Sequence, residues 1–410
     1  MRVSKPMESQ YDYLMPRTLL VTNDYPPRRG GIEGFAKALA DRLAGPDGGG
    51  IVVYTATMGP NDDEIDGLVN YPVIRDRTRT LLPTPRVRRE AIRLFKEYNC
   101  DTVLIGSSVP LGVLAKPMRA AGAKRIVAIT HGHEVWYARL PLGELLLRYV
   151  AANVDNLTAI SKWTRRAIGK ALPYESKLKQ ELLSPGADPQ VFYPGCGGAA
   201  IRAKFGLSPD TPVVVCAARA IACKGQDQLI AAWPLVLESV PDAVLIIVGG
   251  GNYLPELVAL ANTAGLRNPA PEITDNPMGN TAGDKVIFTG SVPWNDVAAY
   301  MDAANVVATP CRSRLFGLGP EGYGLVFMEA AACGKPVIVG RSGGAPEATL
   351  DGVSGFVVNP IDTGEIAGRI VELLTDPEKA RTMGQKGLEW VLANHTWNQV
   401  ANRCSELLGR

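Results

Sequence analysis

Two glutamates, Glu321 and Glu329, stand with seven residues between them in a stretch of small and apolar residues, PEGYGLVFMEAAACGKPVI from Pro320 to Ile338. Two solvated carboxylates on a helix face would be the plain reading, but Gly, Leu, Val, Phe, Met and Ala neighbours fit an exposed helix poorly. A buried carboxylate needs hydrogen-bonding partners, which points to a ligand. If a helix starts near Gly324, the free amides of Gly324, Leu325 and Val326 favour an anion, and Glu329 lies about one turn inside. That arrangement suits a sugar held by Glu321 and backbone amides, and a ribose diol held by Glu329.

Four further clusters carry chemistry of the same kind. In RAIACKGQD, Arg219 to Asp227, a fork-shaped guanidinium and the Lys224 ammonium flank a short loop and together could neutralise two adjacent phosphates. A solvated basic loop is the alternative. In NDYPPRRGGIE, Asn23 to Glu33, Gly30 and Gly31 precede a helix pattern, so an anion can approach their amides without Cβ obstruction. A tight turn explains such a pair equally well. In THGHE, two of the three histidines of the chain, His131 and His133, follow an apolar strand, where open sheets place ligand contacts. H-x-H could hold a metal, but no further Cys, His or acidic group is organised as a shell, so hydrogen bonding to substrate is favoured over a metal or a purely structural pair. SGGAPE, Ser342 to Glu347, is another small-residue turn after a strand.

The elements that must position these residues are short apolar runs alternating with helical stretches. Strands are expected at Thr18–Thr22, Ile51–Thr55, Thr102–Gly106, Ile126–Thr130 and Leu157–Ser161. A second set is expected at Val213–Ala217, Ala243–Val248, Val286–Thr289, Val306–Thr309, Pro336–Val339 and Phe356–Val358. Continuous rather than alternating apolar character suits parallel sheets covered on both faces. The pattern lapses into Pro and Gly between Ser184 and Gly198, which reads as a linker between two doubly wound α/β domains. The polar stretch from Leu266 to Asp284 is long for an internal connection and is expected to be either a lid or an idle excursion.

Composition closes off other classes. The chain has 410 residues, 46% hydrophobic and 20% charged, with a formal charge of +2. No global charge excess points to nucleic acid, and coiled-coil, collagen-like and disordered classes are excluded. Seven cysteines without a C-x-x-C pair argue against a disulfide framework or structural zinc and for a reducing, cytoplasmic setting. No apolar run reaches the length of a membrane span. A G-x-G-x-x-G fingerprint is missing, which makes a nicotinamide dehydrogenase the weakest option.

Taken in order, NDYPPRRGGIE, LLPTP (Leu81–Pro85), THGHE, KGQD, EGYGLVFMEAAACGKPVI and SGGAPE resemble the retaining glycosyltransferases of family 4, over roughly Arg17 to Leu408. The chain looks most similar to the mannosyltransferases that build phosphatidylinositol mannosides. The resemblance implies a GT-B architecture, α/β, with two Rossmann-like domains facing a central cleft. Its divisions would be an extension at 1–16, an acceptor domain at 17–192, a nucleotide-sugar domain at 199–390 and a C-terminal helix at 391–410 returning to the first domain. It further implies that domain closure over the donor accompanies turnover.

By the same resemblance, Gly30 and Gly31 face the diphosphate and acceptor, while Asp24 and His133 serve the acceptor. His131 contacts the donor sugar near its anomeric centre. Arg219 and Lys224 bind the diphosphate, Glu321 holds a sugar hydroxyl, the amides of Gly324, Leu325 and Val326 cradle sugar and phosphate, and Glu329 binds ribose. His131, Glu321, Arg219 and Lys224 form the catalytic set, with no cofactor and no essential metal. Departures occur at Cys223, where relatives are commonly basic, and at Pro320 and Tyr323, so GDP-mannose and UDP-sugars both remain open as donor. A GT-B epimerase or sugar phosphorylase is the alternative activity, and a non-catalytic sugar-nucleotide binder a third.

One stretch lies outside these motifs. Arg75, Arg77, Arg79, Arg86, Arg88, Arg89 and Arg93 face only Asp76 and Glu90. This local asymmetry is read either as a solvated face or as a weak, salt-sensitive dock for anionic membrane at the inner face or for a phosphorylated acceptor.

Overall fold

The computed structural model describes residues 17–28, 30–60, 62–267, 280–281, 283–313 and 319–410. The 1–16 extension lies outside the described residues, as do 268–279 and 282 of the polar stretch.

The first sheet has seven parallel strands: β1 (Arg17–Thr22), β2 (Ile51–Ala56), β3 (Val73–Asp76), β4 (Cys100–Ile105), β5 (Arg125–Thr130), β6 (Asn156–Ala159) and β7 (Gln180–Leu182). Their spatial order is β3-β2-β1-β4-β5-β6-β7. The second sheet has six: β8 (Val213–Ala217), β9 (Val244–Val248), β10 (Val286–Gly290), β11 (Val306–Thr309), β12 (Val337–Gly340) and β13 (Gly355–Val358), in the order β10-β9-β8-β11-β12-β13. In each sheet the order reverses beside the first strand, between β1 and β4 and between β8 and β11, and such a switch point is where doubly wound folds bind ligands. Leu19, Val21, Val103 and Ile105 are fully buried in the first core, as are Val214, Leu245, Ile247 and Trp233 in the second.

All eleven strands expected from apolar runs exist, and two more do as well. β3 (VIRD) and β7 (QEL) are the edges of the first sheet, short and polar, and edge strands need no continuous apolar character.

The chain divides into a first unit, Met1–Ser184 with Trp397–Arg410, and a second, Pro185–Thr396. Most of the stretch read as a linker therefore packs within the second unit. The Asp302 carboxylate accepts the amides of Gly195, Gly197 and Gly198 at 2.9, 3.2 and 2.7 Å, and the buried Phe192 ring meets Trp294 edge-on. Here the glycines supply amides to a carboxylate rather than slack.

The C-terminal helix is two helices, Pro377–Asn394 and Trp397–Leu408. The break falls where Thr396 bridges Ala187, whose amide donates to the His395 carbonyl at 2.8 Å. The two points at which the chain passes between units thus run side by side.

Candidate active site

In the first unit the residues gather at the carboxyl ends of β1, β4 and β5. Asn23 exchanges two hydrogen bonds with the backbone of Leu81, at 2.6 and 3.0 Å, which ties the loop after β1 to LLPTP. Arg75 stacks over Tyr25 and donates to the Pro26 carbonyl at 2.6 Å while paired with Asp66. This clamp holds the NDYPP loop, so Arg75 is not part of any free basic surface. Asp24 faces Arg28 at 3.4 Å. Gly30 caps the helix Gly31–Leu43 without a side-chain hydrogen bond of its own; a Cβ on Gly31 would meet nothing within 4 Å, whereas one on Gly30 would strike the Glu33 carboxylate, which folds back over the first turn.

His131 is buried at the end of β5. Its Nε2 lies 2.6 Å from the Gly106 carbonyl, so Nε2 carries the proton and donates, and Nδ1 presents a lone pair. That Nδ1 is buried without a hydrogen-bond partner among the described residues. Burial holds the imidazole below its ordinary pKa, against the pull of Glu134, the Gly106 hydrogen bond and the more distant Asp24. A neutral histidine offering a bare acceptor is suited to a hydroxyl.

Glu134 builds this corner. Fully buried, it accepts the amides of His131 and Gly132 at 2.9 and 3.1 Å and the Ser108 hydroxyl at 3.3 Å. His133 Nε2 lies 3.5 Å from it, with the His133 ring stacked on His131 and its side chain 41% exposed.

In the second unit the residues gather past β8, β11 and β12. Lys224 Nζ lies 2.5 Å from Glu321 Oε2, an ion pair with about one fifth of each side chain exposed. Burial alone would depress the ammonium and raise the carboxyl, but their mutual attraction prevails: Lys224 is held above and Glu321 below the ordinary value. The exposed Arg219 adds to the field on Glu321. SGGAPE folds onto the Glu321 loop: the Ser342 hydroxyl accepts the Glu321 amide at 3.3 Å, and Gly344 donates to the Glu321 carbonyl at 2.8 Å. Gly343 sits at φ +55°, and a Cβ there would strike that carbonyl, so the position requires glycine.

Gly324 (φ +97°) opens the helix Leu325–Ala332 without a side-chain cap, leaving the first-turn amides of Leu325 and Val326 available. Glu329 is buried one turn further. Burial pushes its carboxyl up to about 7, opposed only by a hydrogen bond from Trp294.

Lys224 and Glu321 are brought into contact, with Arg219 acting on Glu321 and Gly324 beside it, while Glu329 lies one turn into the helix that Gly324 opens, against Trp294. His131, His133, Asp24, Gly30 and Gly31 belong to the other unit. Sequence reasoning missed the work of Glu134, although an acid directly after two histidines was a signal. It also missed Arg312, which makes a bidentate pair with Asp227 at 2.6 and 2.8 Å and donates its amide to the Cys223 carbonyl. Trp294 carried no signal.

Residues 29–191 match the Glycosyltransferase Family 4 model and residues 211–376 the Glycosyl transferases group 1 model. The GDP-mannose-dependent alpha-(1-6)-phosphatidylinositol monomannoside mannosyltransferase of Mycolicibacterium smegmatis is 40% identical over 95% of this chain and 97% of its own. The chain belongs to glycosyltransferase family 4. This family 4 glycosyltransferase is also 38% identical to the enzyme of the same description from Mycobacterium tuberculosis, over 96% of this chain and 98% of that one. A GDP-mannose-dependent monoacylated alpha-(1-6)-phosphatidylinositol monomannoside mannosyltransferase of Corynebacterium glutamicum is 37% identical over 96% and 97%.

Among solved structures, Anabaena HepE in complex with UDP and glucose superposes with a TM-score of 0.74 at 21% identity, covering 96% of this chain and 99% of that one. Sucrose-phosphate synthase of Thermosynechococcus elongatus gives 0.72 at 22%, covering 95% and 98%. The fold of this glycosyltransferase is GT-B, and its activity class is hexosyl transfer. No helix among the described residues is long and apolar enough to cross a membrane.

Proposed function

We propose that the protein is a retaining, metal-independent mannosyltransferase that moves mannose from GDP-mannose to a hydroxyl of a phosphatidylinositol mannoside-type lipid. The observation that carries this reading is the Lys224–Glu321 pair beside the uncapped helix at Gly324. It presents a cation for a diphosphate and a carboxylate for a sugar hydroxyl within one hydrogen bond of each other. Mannose and the lipid acceptor come from the full-length relatives at 37–40% identity.

In this mechanism the acceptor hydroxyl arrives on the face from which the nucleotide departs. The bond from the anomeric carbon to the β-phosphate oxygen breaks, the glycosidic bond forms on the same face, and the acceptor proton passes to the departing phosphate. Arg219, Lys224 and the amides of Leu325 and Val326 stabilise the charge growing on that phosphate, the largest contribution to rate. Glu321 orients the sugar, His131 Nδ1 accepts a hydrogen bond from one of its hydroxyls, and Glu329 accepts hydrogen bonds from the ribose. Asp24, His133, Gly30 and Gly31 serve acceptor and phosphate. Two cations and helix amides meet the diphosphate charge, which supports activity without a divalent ion.

Peripheral attachment to anionic membrane belongs to the same proposal. Arg75, Arg86 and Arg93 are committed to ion pairs, whereas Arg77, Arg79, Arg88 and Arg89 are exposed. Leu142, Leu145 and Tyr149, three and four residues apart on the helix Pro141–Asn153, are exposed too. A groove of about 350 Å³ with Arg88, Lys116 and Tyr149 in its walls joins the basic and apolar surfaces.

The decisive assay supplies radiolabelled GDP-mannose and vesicles carrying phosphatidylinositol monomannoside, with and without EDTA. A labelled lipid with an α-linkage, formed equally in EDTA, is expected. Transfer from a UDP-sugar alone, consumption of donor without acceptor, or loss of activity in EDTA overturns the corresponding part.

A further inference from the structure

Cys196 and Cys333 are 137 residues apart in sequence, yet their sulfurs lie 4.0 Å apart, both as free thiols. Among the described residues no other two cysteine thiols hydrogen-bond to each other. Cys196 is half-buried on the irregular segment whose flanking glycines are held by Asp302, and its thiol donates to the Ala298 carbonyl at 3.3 Å. Cys333 is buried at the C-cap of the helix Leu325–Ala332, its amide bonded to the Glu329 carbonyl at 3.1 Å. A disulfide needs the sulfurs about 2 Å closer. The helix is regular and packed, so closure has to come from the irregular Cys196 segment and must strain the bonds that Asp302 makes to its flanking glycines.

We propose that Cys196 and Cys333 form a hydroperoxide-sensitive thiol pair that closes to a disulfide and ties the Cys196 segment to the foot of the Glu329 helix. Cys196, the more accessible, reacts first. Its thiolate attacks the peroxide oxygen, the O–O bond breaks, and a sulfenic acid and an alcohol (water from hydrogen peroxide) are formed. The Cys333 sulfur then attacks the Cys196 sulfur, and the sulfenic hydroxyl leaves as water with the Cys333 proton. Two thiols lose two electrons and one peroxide gains them. Burial raises the Cys333 thiol, which keeps it protonated until the sulfenic acid is beside it. Because Glu329 sits one turn before Cys333, the bond connects redox state to the nucleotide end of the site. That last connection rests on the donor role given to Glu329 above, whereas disulfide formation does not.

The test treats the full chain with stoichiometric hydrogen peroxide. Peptide mass mapping is expected to find a Cys196–Cys333 cross-link reversed by dithiothreitol. Hydrogen exchange within Leu325–Ala332 should slow by about tenfold or more in the oxidised form. GDP affinity should change by about fivefold or more and return on reduction. C196S and, independently, C333A should show none of these responses. A sulfinic acid at Cys196 without the cross-link, or a cross-link that leaves exchange in that helix unchanged, overturns the proposal. Reduced protein that ignores GDP while still cross-linking would overturn the donor reading and leave the thiol pair standing.

Discussion

Lys224 and Glu321 neutralise each other at 2.5 Å, so a donor must enter between charges that already have partners. If Lys224 meets the departing diphosphate, its truncation removes charge stabilisation where the charge develops. Lys224→Ala should then lose about 10²–10³ in kcat, as when one oxyanion donor is deleted, with donor affinity changing much less. Near-full turnover in a steady-state assay would refute the role. Glu329 gives a second prediction, through its pKa of about 7. Ribose hydroxyls donating to it would favour the ionised form, so nucleotide binding at acid pH must expel a proton. GDP affinity measured by calorimetry should therefore weaken as pH falls below about 7, by up to about tenfold per unit, and E329Q should be flat. The sign for stability is opposite. A folded-state pKa above the ordinary glutamate value means stability is fully present below about 4.5 and is lost as pH rises through about 7. E329Q should recover that loss, of order 3 kcal/mol, as a higher melting temperature above pH 7.

The elements divide by how locally they are determined. Interior strands were legible because burial on both faces demands unbroken apolar runs, and the edge strands β3 and β7 were not, because an edge tolerates VIRD and QEL. The break at His395 and Thr396 had no Pro or Gly to announce it, since it is made by a bridge to Ala187, more than 200 positions away. Lys224 and Glu321 could be read from motifs. The cradle Glu134 makes with Ser108 could not, because only the fold brings β4 beside β5. The arginine stretch was half legible: its count was evident, but the pairs that remove Arg75, Arg86 and Arg93 were not. Arg88 shares a groove with Tyr149, whose helix also exposes Leu142 and Leu145, and Arg77, Arg79 and Arg89 are exposed on the same arginine stretch, which leads to an expectation. Flotation with vesicles rich in anionic lipid should recover the protein at low salt, and raising salt should release it. Replacing Arg77, Arg79, Arg88 and Arg89 by Ser should abolish recovery. Equal recovery on neutral vesicles, or salt-insensitive binding by that variant, would discard the docking surface.

Across the whole molecule, each sheet closes its hydrogen bonding within its own unit, and each unit has its own core of fully buried side chains. Units built this way resemble domains able to fold on their own. Apart from Gly30 and Gly31 of the first unit, the groups assigned to the nucleotide (Arg219, Lys224, Glu321, the amides of Leu325 and Val326, and Glu329) lie in the second unit. A nucleotide without a sugar or acceptor should accordingly stabilise one unit more than the other. At 100 times its dissociation constant a ligand adds about 2.7 kcal/mol, which slows exchange through unfolding of the unit that binds it about a hundredfold. With saturating GDP, amides of β8, β9, β11 and β12 should show this slowing, while those of β1, β2, β4 and β5 change by much less. Hydrogen exchange followed by mass spectrometry resolves the two sheets in one experiment. Equal slowing in both would mean that the units unfold as one cooperative body. Slowing confined to the first sheet would move the nucleotide to the helix at Gly30 and Gly31 and leave Lys224 and Glu321 with the sugar alone.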